Sequence, residues 1–318
     1  MRVDNIYCIM TKSLIIFTFF LFSIYSCKSN LDAKKTNNQE SISNDTVGLS
    51  LEWIEHLHVR KNVNSYDKSL VEYIAQKTNK VDSIRNVIYL LPFGNMKPEI
   101  EDLLKNELNY LKIFFQLEVK LLPSVSFEEI KKHGKIETRL VNDNDFGYYS
   151  KAKGGAENLR EQIEAESFIA SYSKDNIPED AVAILGVTEH DIYNPNYNFL
   201  FGTSNSTKNM GLVSTFRLIT YGERTKFNIR KVISKQIVNL FSIPNVKDYE
   251  CLVNFHINKK ELEEGEFKLS PGILEKLKYA VGFDYTKRFE ELANFWEHEN
   301  NPELADYYLK CVSLLKNK

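Results

Sequence analysis

The apolar residues of this chain change their spacing several times, and each change predicts a new element. The longest unbroken apolar run comes early, SLIIFTFFLFSIY over residues 13–25, and is followed by Ser26-Cys27. It is shorter than the ~20 residues a spanning helix needs and has the length of the apolar core of an export signal. Residues 28–48 carry almost no apolar side chain. Such a segment cannot offset its ordering entropy and reads, with Cys27, as a tether over 27–49. Leu51, Ile54 and Leu57, then Leu70, Tyr73 and Ile74, return at helical spacing and predict accessory helices over 50–85.

The main domain is expected over 86–298. VIYLLPFG (Val87 to Gly94) is a short apolar run closed by Pro92 and Gly94, the profile of a buried strand. Pro98 opens an amphipathic helix through Leu104, Leu108, Leu111 and Phe115. Residues 117–122 predict a strand, 126–132 a short helix and 158–172 a longer helix. AVAILGVT (Ala181 to Thr188) is the most strand-like run in the chain. Asn194 to Asn196 predict a turn, Asn198 to Gly202 a short strand, and Gly211 to Leu218 a further strand. Between Arg230 and Phe241 the residues Val232, Ile233, Ile237, Leu240 and Phe241 fall on one side of a helix. Lys235 and Asn239 share a face turned away from that stripe, and Ser242, Pro244 and Asn245 end the helix. Two helices precede residue 298, and 299–318 form a C-terminal helix. Alternating strands and helices predict an α/β (α+β) fold: a mixed sheet with packed helices and a small helical C-terminal subdomain.

Composition narrows the function classes. Hydrophobic content of 43% and charged content of 26% support a sizeable core, and a net charge of −2 gives no electrostatic case for nucleic acid. The four cysteines, Cys8, Cys27, Cys251 and Cys311, show no paired spacing, which speaks against a disulfide framework and against a cysteine-rich zinc site. Ile24-Tyr25-Ser26-Cys27 resembles the bacterial lipobox, with Tyr25 departing from the usual small residue. That resemblance implies residues 1–26 as a lipoprotein-type signal peptide and Cys27 as the lipidated residue, with Met1 or Met10 as the start. The expected location is the bacterial cell envelope, lipid-anchored on the outer membrane or periplasmic face.

Between Val87 and Phe295 several patches, in order, resemble the archaemetzincins, a family of metzincin-type zinc metallopeptidases. IYLLPFG is similar to the family's opening strand and NLREQIEA to its Arg-x-Gln helix. AILGVTEHDIYNPNYNFLFG is similar to its hallmark segment, and VSTFRL to the strand that follows. The resemblance implies a metzincin-like sheet and an active-site-type helix. In the family that helix carries HExxHxxGxxH: two histidines one turn apart and a third after a glycine turn bind zinc, and the glutamate is the general base.

On this chain, Lys235, Asn239 and Asn245 stand where the histidines would be, Gln236 at the glutamate and Ser242 at the glycine. No histidine occurs between His190 and His256, and no glutamate between Glu223 and Glu250, so no small shift of register restores a ligand or the base. The family's second, four-cysteine site keeps Cys251 alone, with Ser270 and Ile273 where a CxxC is expected and Val253 at the methionine of the turn. The expectation is a catalytically inactive member without a zinc cofactor. It would act by peptide or protein binding, with Asn198, Phe199, Leu200, Phe201 and Gly202 as the groove edge. Rival readings are an active zinc peptidase with ligands the sequence does not reveal, and a structural partner of an envelope protein. Lys235 and Asn239 packed on a neighbouring loop would speak against a small-molecule site. Asp191, Tyr193, Asn194 and Asn196 are expected to satisfy backbone groups in a turn, and Gly154-Gly155 to be a flexible connection.

Overall fold

The computed structural model of the chain describes residues 51–62, 67–142, 159–219 and 223–317. The export signal, Cys27, the tether and Gly154-Gly155 lie outside the described residues. The described residues from Leu51 onward belong to one compact unit.

Two short helices open it, α1 (Glu52–Glu55) and α2 (Leu70–Ile74). Helix α2 is closed by a capping box in which Ser69 and Glu72 satisfy each other's backbone N–H. The central sheet has the order β2-β1-β5-β9-β8, from strands β1 (Val87–Phe93), β2 (Glu118–Leu121), β5 (Ala181–Thr188), β8 (Gly202–Asn205) and β9 (Met210–Ser214). β1 lies parallel to β2 and β5, and β5 is parallel to β9; only the edge strand β8 runs antiparallel. A second sheet has the order β3-β4-β6-β7, from β3 (Thr138–Asn142), β4 (Leu159–Glu164), β6 (Asp191–Asn194) and β7 (Tyr197–Leu200).

The period-two alternation of β1 divides the core. Ile88 and Leu90 join the apolar cluster under helices α3 (Pro98–Phe115) and α6 (Glu223–Leu240), whereas Val87, Tyr89, Leu91 and Phe93 join the cluster under α5 (Ala165–Tyr172). Helix α4 (Phe127–Lys131) flanks the second cluster through Ile130. The remaining helices are α7 (Lys259–Glu264), α8 (Pro271–Val281), α9 (Tyr285–His298) and α10 (Pro302–Lys316). Leu51 and Ile54 of the first helix and Tyr308 and Cys311 of the last sit in the same cluster as the central sheet.

Three expectations need correction. Residues 158–172 are not one helix: Leu159–Glu164 is strand β4, and only Ala165–Tyr172 is helical. Local propensity favoured a helix, but pairing to β3 on one side and β6 on the other decides the backbone. Asn198 to Gly202 is not one strand either. Leu200 pairs with Ile192 in the second sheet and Gly202 with Val213 in the first, so the chain changes sheets at Phe201. Asp191 lies in strand β6 and not in a turn. Its buried carboxylate accepts from Arg217 Nε and Nη2, both at 2.8 Å, and from Gln162 Nε2 at 2.6 Å. Asn194 alone makes the expected turn, its Oδ1 accepting from the N–H groups of Asn196 and Tyr197 at 3.0 Å.

Candidate functional site

Helix α6 owes its position to its apolar side: Val232, Ile233, Ile237, Leu240 and Phe241 are all buried. Its C-terminus is fixed from three directions. Tyr73 Oη donates to Phe241 O at 2.5 Å, Asn79 Nδ2 to Leu240 O at 3.1 Å, and Ser242 Oγ accepts from Asn79 N at 3.1 Å. Ser242 itself has φ of 63°, a left-handed conformation that glycine adopts freely and that costs other residues about 1 kcal/mol. The turn therefore keeps a backbone suited to glycine while carrying serine.

The opposite face of α6 does not look outward, as its polarity led one to expect. Lys235 is 7% exposed and Gln236 5%. Both line a cavity of about 400 Å³ together with Asn239, Asn245 and His256. The other wall is Asn198 to Ser204, running through β7 and β8, and the rim is formed by Tyr197, Phe255 and Ile257. The cavity thus brings together Lys235, Gln236, Asn239, Asn245 and all five residues of the expected groove edge. The fold achieves this by laying α6 beneath β8, where Ser204 Oγ donates to Gln236 Oε1 at 2.7 Å and to Gln236 O at 2.8 Å. Gly202 permits the approach, since a Cβ there would stand 3.0 Å from Gln236 Cγ.

Lys235 Nζ donates to Asn254 O at 2.6 Å and lies 5.7 Å from the centre of the Phe255 ring. Burial pushes its ammonium down to about 8, partly opposed by the nearby Cys251. Asn254 is held rigidly for this role: its Nδ2 donates to Val246 O and Tyr249 O, and its Oδ1 accepts from Cys251 N at 2.9 Å. Sequence reasoning missed Asn254, because nothing in its local pattern sets it apart from any other loop asparagine. Asn239 Nδ2 donates to Asn245 Oδ1 at 3.3 Å, while Asn239 Oδ1 is buried without a partner among the described residues. His256 is pushed down to about 3, first by burial and then by the neighbouring Lys235, Lys231 and Lys61, so it is neutral at pH 7.

These groups do not fit a zinc ion. Three carboxamides, an ammonium that already donates to a carbonyl, and the single imidazole of His256 do not make up the three imidazole or anionic ligands a zinc site needs. Among the described residues no group of three or more His, Cys, Asp and Glu side chains is placed to hold a metal. The second expected metal position is likewise brought together in space. Buried Cys251 has both backbone and side-chain groups of Ser270 within hydrogen-bonding reach, and burial raises its thiol to about 11. Ile273 belongs to the same apolar cluster. His190 stays apart: its backbone carbonyl accepts from Ser214 Oγ at 2.6 Å, and its ring faces Phe93 and Phe127.

No family model matches the chain. Curated relatives do. Archaemetzincin-2 of Rattus norvegicus is 24% identical over 253 residues, covering 68% of this chain and 65% of that protein. Archaemetzincin-2 of Macaca fascicularis is 25% identical over 242 residues, 65% of this chain and 62% of that protein. Archaemetzincin of Pyrococcus furiosus is 21% identical over 211 residues, 64% of this chain and 98% of that protein. The chain therefore spans about two thirds of the mammalian relatives and nearly all of the archaeal one. Among solved structures, archaemetzincin from Methanopyrus kandleri aligns with a TM-score of 0.45 at 19% identity, over 63% of this chain and 98% of that one. The mixed sheet, the helix beneath its antiparallel edge strand and the cleft between them define an α/β fold with a cleft at the sheet's edge. The sequence relatives it resembles are archaemetzincins.

Proposed function

We propose that this chain is a catalytically inactive archaemetzincin-like protein that holds peptide or protein segments in its cleft. The carrying observation is the identity of the cleft wall. Lys235, Gln236, Asn239 and Asn245, which the resemblance sets at the family's ligand and base positions, border the cleft beside the edge strand of the central sheet. Gln236 has its Oε1 taken by Ser204, and an amide at that place accepts no proton from water.

The edge itself supports strand addition. Ser214 N donates to Phe201 O at 2.9 Å. By the two-residue alternation of an antiparallel ladder, Thr203 and Asn205 then bond to β9, and Gly202 and Ser204 turn their backbone groups away from it. A peptide laid there is held by main-chain hydrogen bonds without any metal. The apolar faces of α1 and α10 are spent on the core, which leaves the cleft a better docking place than the added helices. We further propose that Cys27 is lipidated and tethers the protein to the bacterial cell envelope. None of the described helices is long and apolar enough to cross a membrane.

The test is retention of a randomised octapeptide pool on the immobilised full chain, read by mass spectrometry. Peptides are expected back intact, with retention lost in Ser204→Pro, which deletes an outward N–H, and kept in Ser204→Ala. Cleavage of the pool by metal-replete protein, or undiminished retention by Ser204→Pro, would sink the proposal.

A further inference from the structure

We propose that the cleft recognises the free C-terminal carboxylate of a bound peptide, with the Lys235 ammonium as its anchor. This rests on the peptide-cleft reading above and narrows it to one ligand chemistry.

The reason lies in two buried lysines one turn apart on α6. Lys231 Nζ has three carbonyl acceptors for its three N–H groups: Leu262 O at 2.7 Å, Glu263 O at 3.5 Å and Gly265 O. It closes the C-terminal end of α7 and has no capacity left. Lys235 Nζ has Asn254 O at 2.6 Å, and among the described residues no carboxylate pairs with it. A buried cation with one neutral acceptor is poorly compensated, because removing an ion from water is expensive unless charge and hydrogen bonds replace the lost hydration. The compensation has to enter from the cavity, since the Asn254 side is already closed by the loop.

The cavity selects for an anion. Among the described residues no Asp or Glu lines it, Lys235 is its one cationic side chain, and His256 is neutral. At about 400 Å³ it is of ligand-site size. Above Lys235 the rim is aromatic: Phe255 is 44% exposed, and Tyr197, 47% exposed, meets it at 5.7 Å between ring centres. Ile257 extends the same rim. A peptide end satisfies all three features. Its strand adds to β8 through the outward groups of Gly202 and Ser204, its last side chain meets the aromatic rim, and its carboxylate takes the two spare N–H groups of Lys235. A fixed loop carbonyl, Asn254 O, aims the ammonium into the cleft.

The experiment compares octapeptide pools that are identical in sequence but end in either a carboxylate or an amide, competing for the wild-type full chain. Individual recovered peptides are then titrated by calorimetry. The acid form is expected to bind about tenfold more tightly, the scale of one hydrogen-bonded charge. That preference should vanish in Lys235→Met and be partly kept in Lys235→Arg, with thermal melts showing both variants folded. Equal binding of acid and amide forms by the wild type overturns the carboxylate anchor while leaving the cleft reading intact. Retention of neither form overturns both. An acid preference undiminished in Lys235→Met removes Lys235 from the site.

Discussion

Replacing Lys235 by methionine is predicted to make the protein more stable at neutral pH, and the size follows from the burial of its ammonium. In the unfolded chain a lysine titrates near 10.4; in the fold this one is pushed down to about 8 by burial. Each unit of difference is worth about 1.4 kcal/mol, so a charged Lys235 costs the native state roughly 3 kcal/mol at pH 7. Methionine keeps the length and volume of the stem but leaves Asn254 O without its donor, a loss of about 1 kcal/mol. The net expectation is a gain of roughly 2 kcal/mol for Lys235→Met.

The sign of the pH dependence is fixed by which state holds the proton. Below about 8 both folded and unfolded chains are protonated and the full penalty stands. Between there and the unfolded value the unfolded chain holds a proton that the folded one has released, so wild-type stability rises with pH. The advantage of the variant should therefore shrink across that window and change sign above it. Lys231, pushed down to a similar value, is common to both proteins and cancels in the difference. Urea unfolding followed by circular dichroism at pH 7, 8, 9 and 10 measures this directly. A pH-independent difference, or a variant less stable than wild type at pH 7, would refute the reasoning.

Three further outcomes follow from the same geometry. The triple variant Lys235→His, Asn239→His, Asn245→His is expected to take up about one zinc per chain by plasma mass spectrometry, the wild type none; stoichiometric wild-type zinc that is lost on mutating His190 or His256 would overturn the inactive reading. Glu107→Gln should destabilise the chain by about 1–3 kcal/mol in chemical unfolding, because Arg230, bonded to Glu107 at 2.7 and 2.8 Å, keeps Glu299 Oε2 at 3.0 Å but loses its fully buried carboxylate. Gly202→Ala should cost about 1–3 kcal/mol, since its Cβ would stand 3.0 Å from both Gln236 Cγ and Val213 Cγ2; a thermal shift within error would show that α6 and β8 are less tightly opposed than described.

The central sheet was legible wherever both faces of a strand are buried. VIYLLPF and AVAILGVT are continuous apolar runs because clusters press on them from both sides, and such runs announce themselves. The second sheet was not legible. Leu159–Glu164 carries Arg, Glu and Gln, which suit a helix locally; its strand state exists because Asp191 gathers Gln162, Arg160 and Arg217 around one carboxylate. That arrangement joins residues far apart in sequence, so no window of neighbours contains it. Helix α7 was missed for the converse reason: Lys259–Glu264 buries only Leu262 and has no apolar stripe to detect.

The candidate site was legible as a set of positions and misread as an exposed face. A helical wheel shows Lys235 and Asn239 opposite the apolar stripe, and opposite the core usually means water. Here the 251–257 loop and β8 stand over that face across the cleft. Gln236 is bound by Ser204, and Asn239 Nδ2 by Asn245 Oδ1. Both are neutral, so the Asn239 Oδ1 without a partner among the described residues leaves a hydrogen bond unmade but no charge uncompensated. Lys235 differs, because an ammonium needs three acceptors and some negative charge, while its surroundings supply Asn254 O. The 251–257 loop packs beside Lys235 through Asn254 O and the Phe255 ring, while Asn239 faces the cleft with Asn245. The same packing singles out Lys235, since burying it weakly compensated lowers stability where methionine would not. An ammonium that lowers the stability of its own fold and lines the cleft is the group the proposed carboxylate anchor requires.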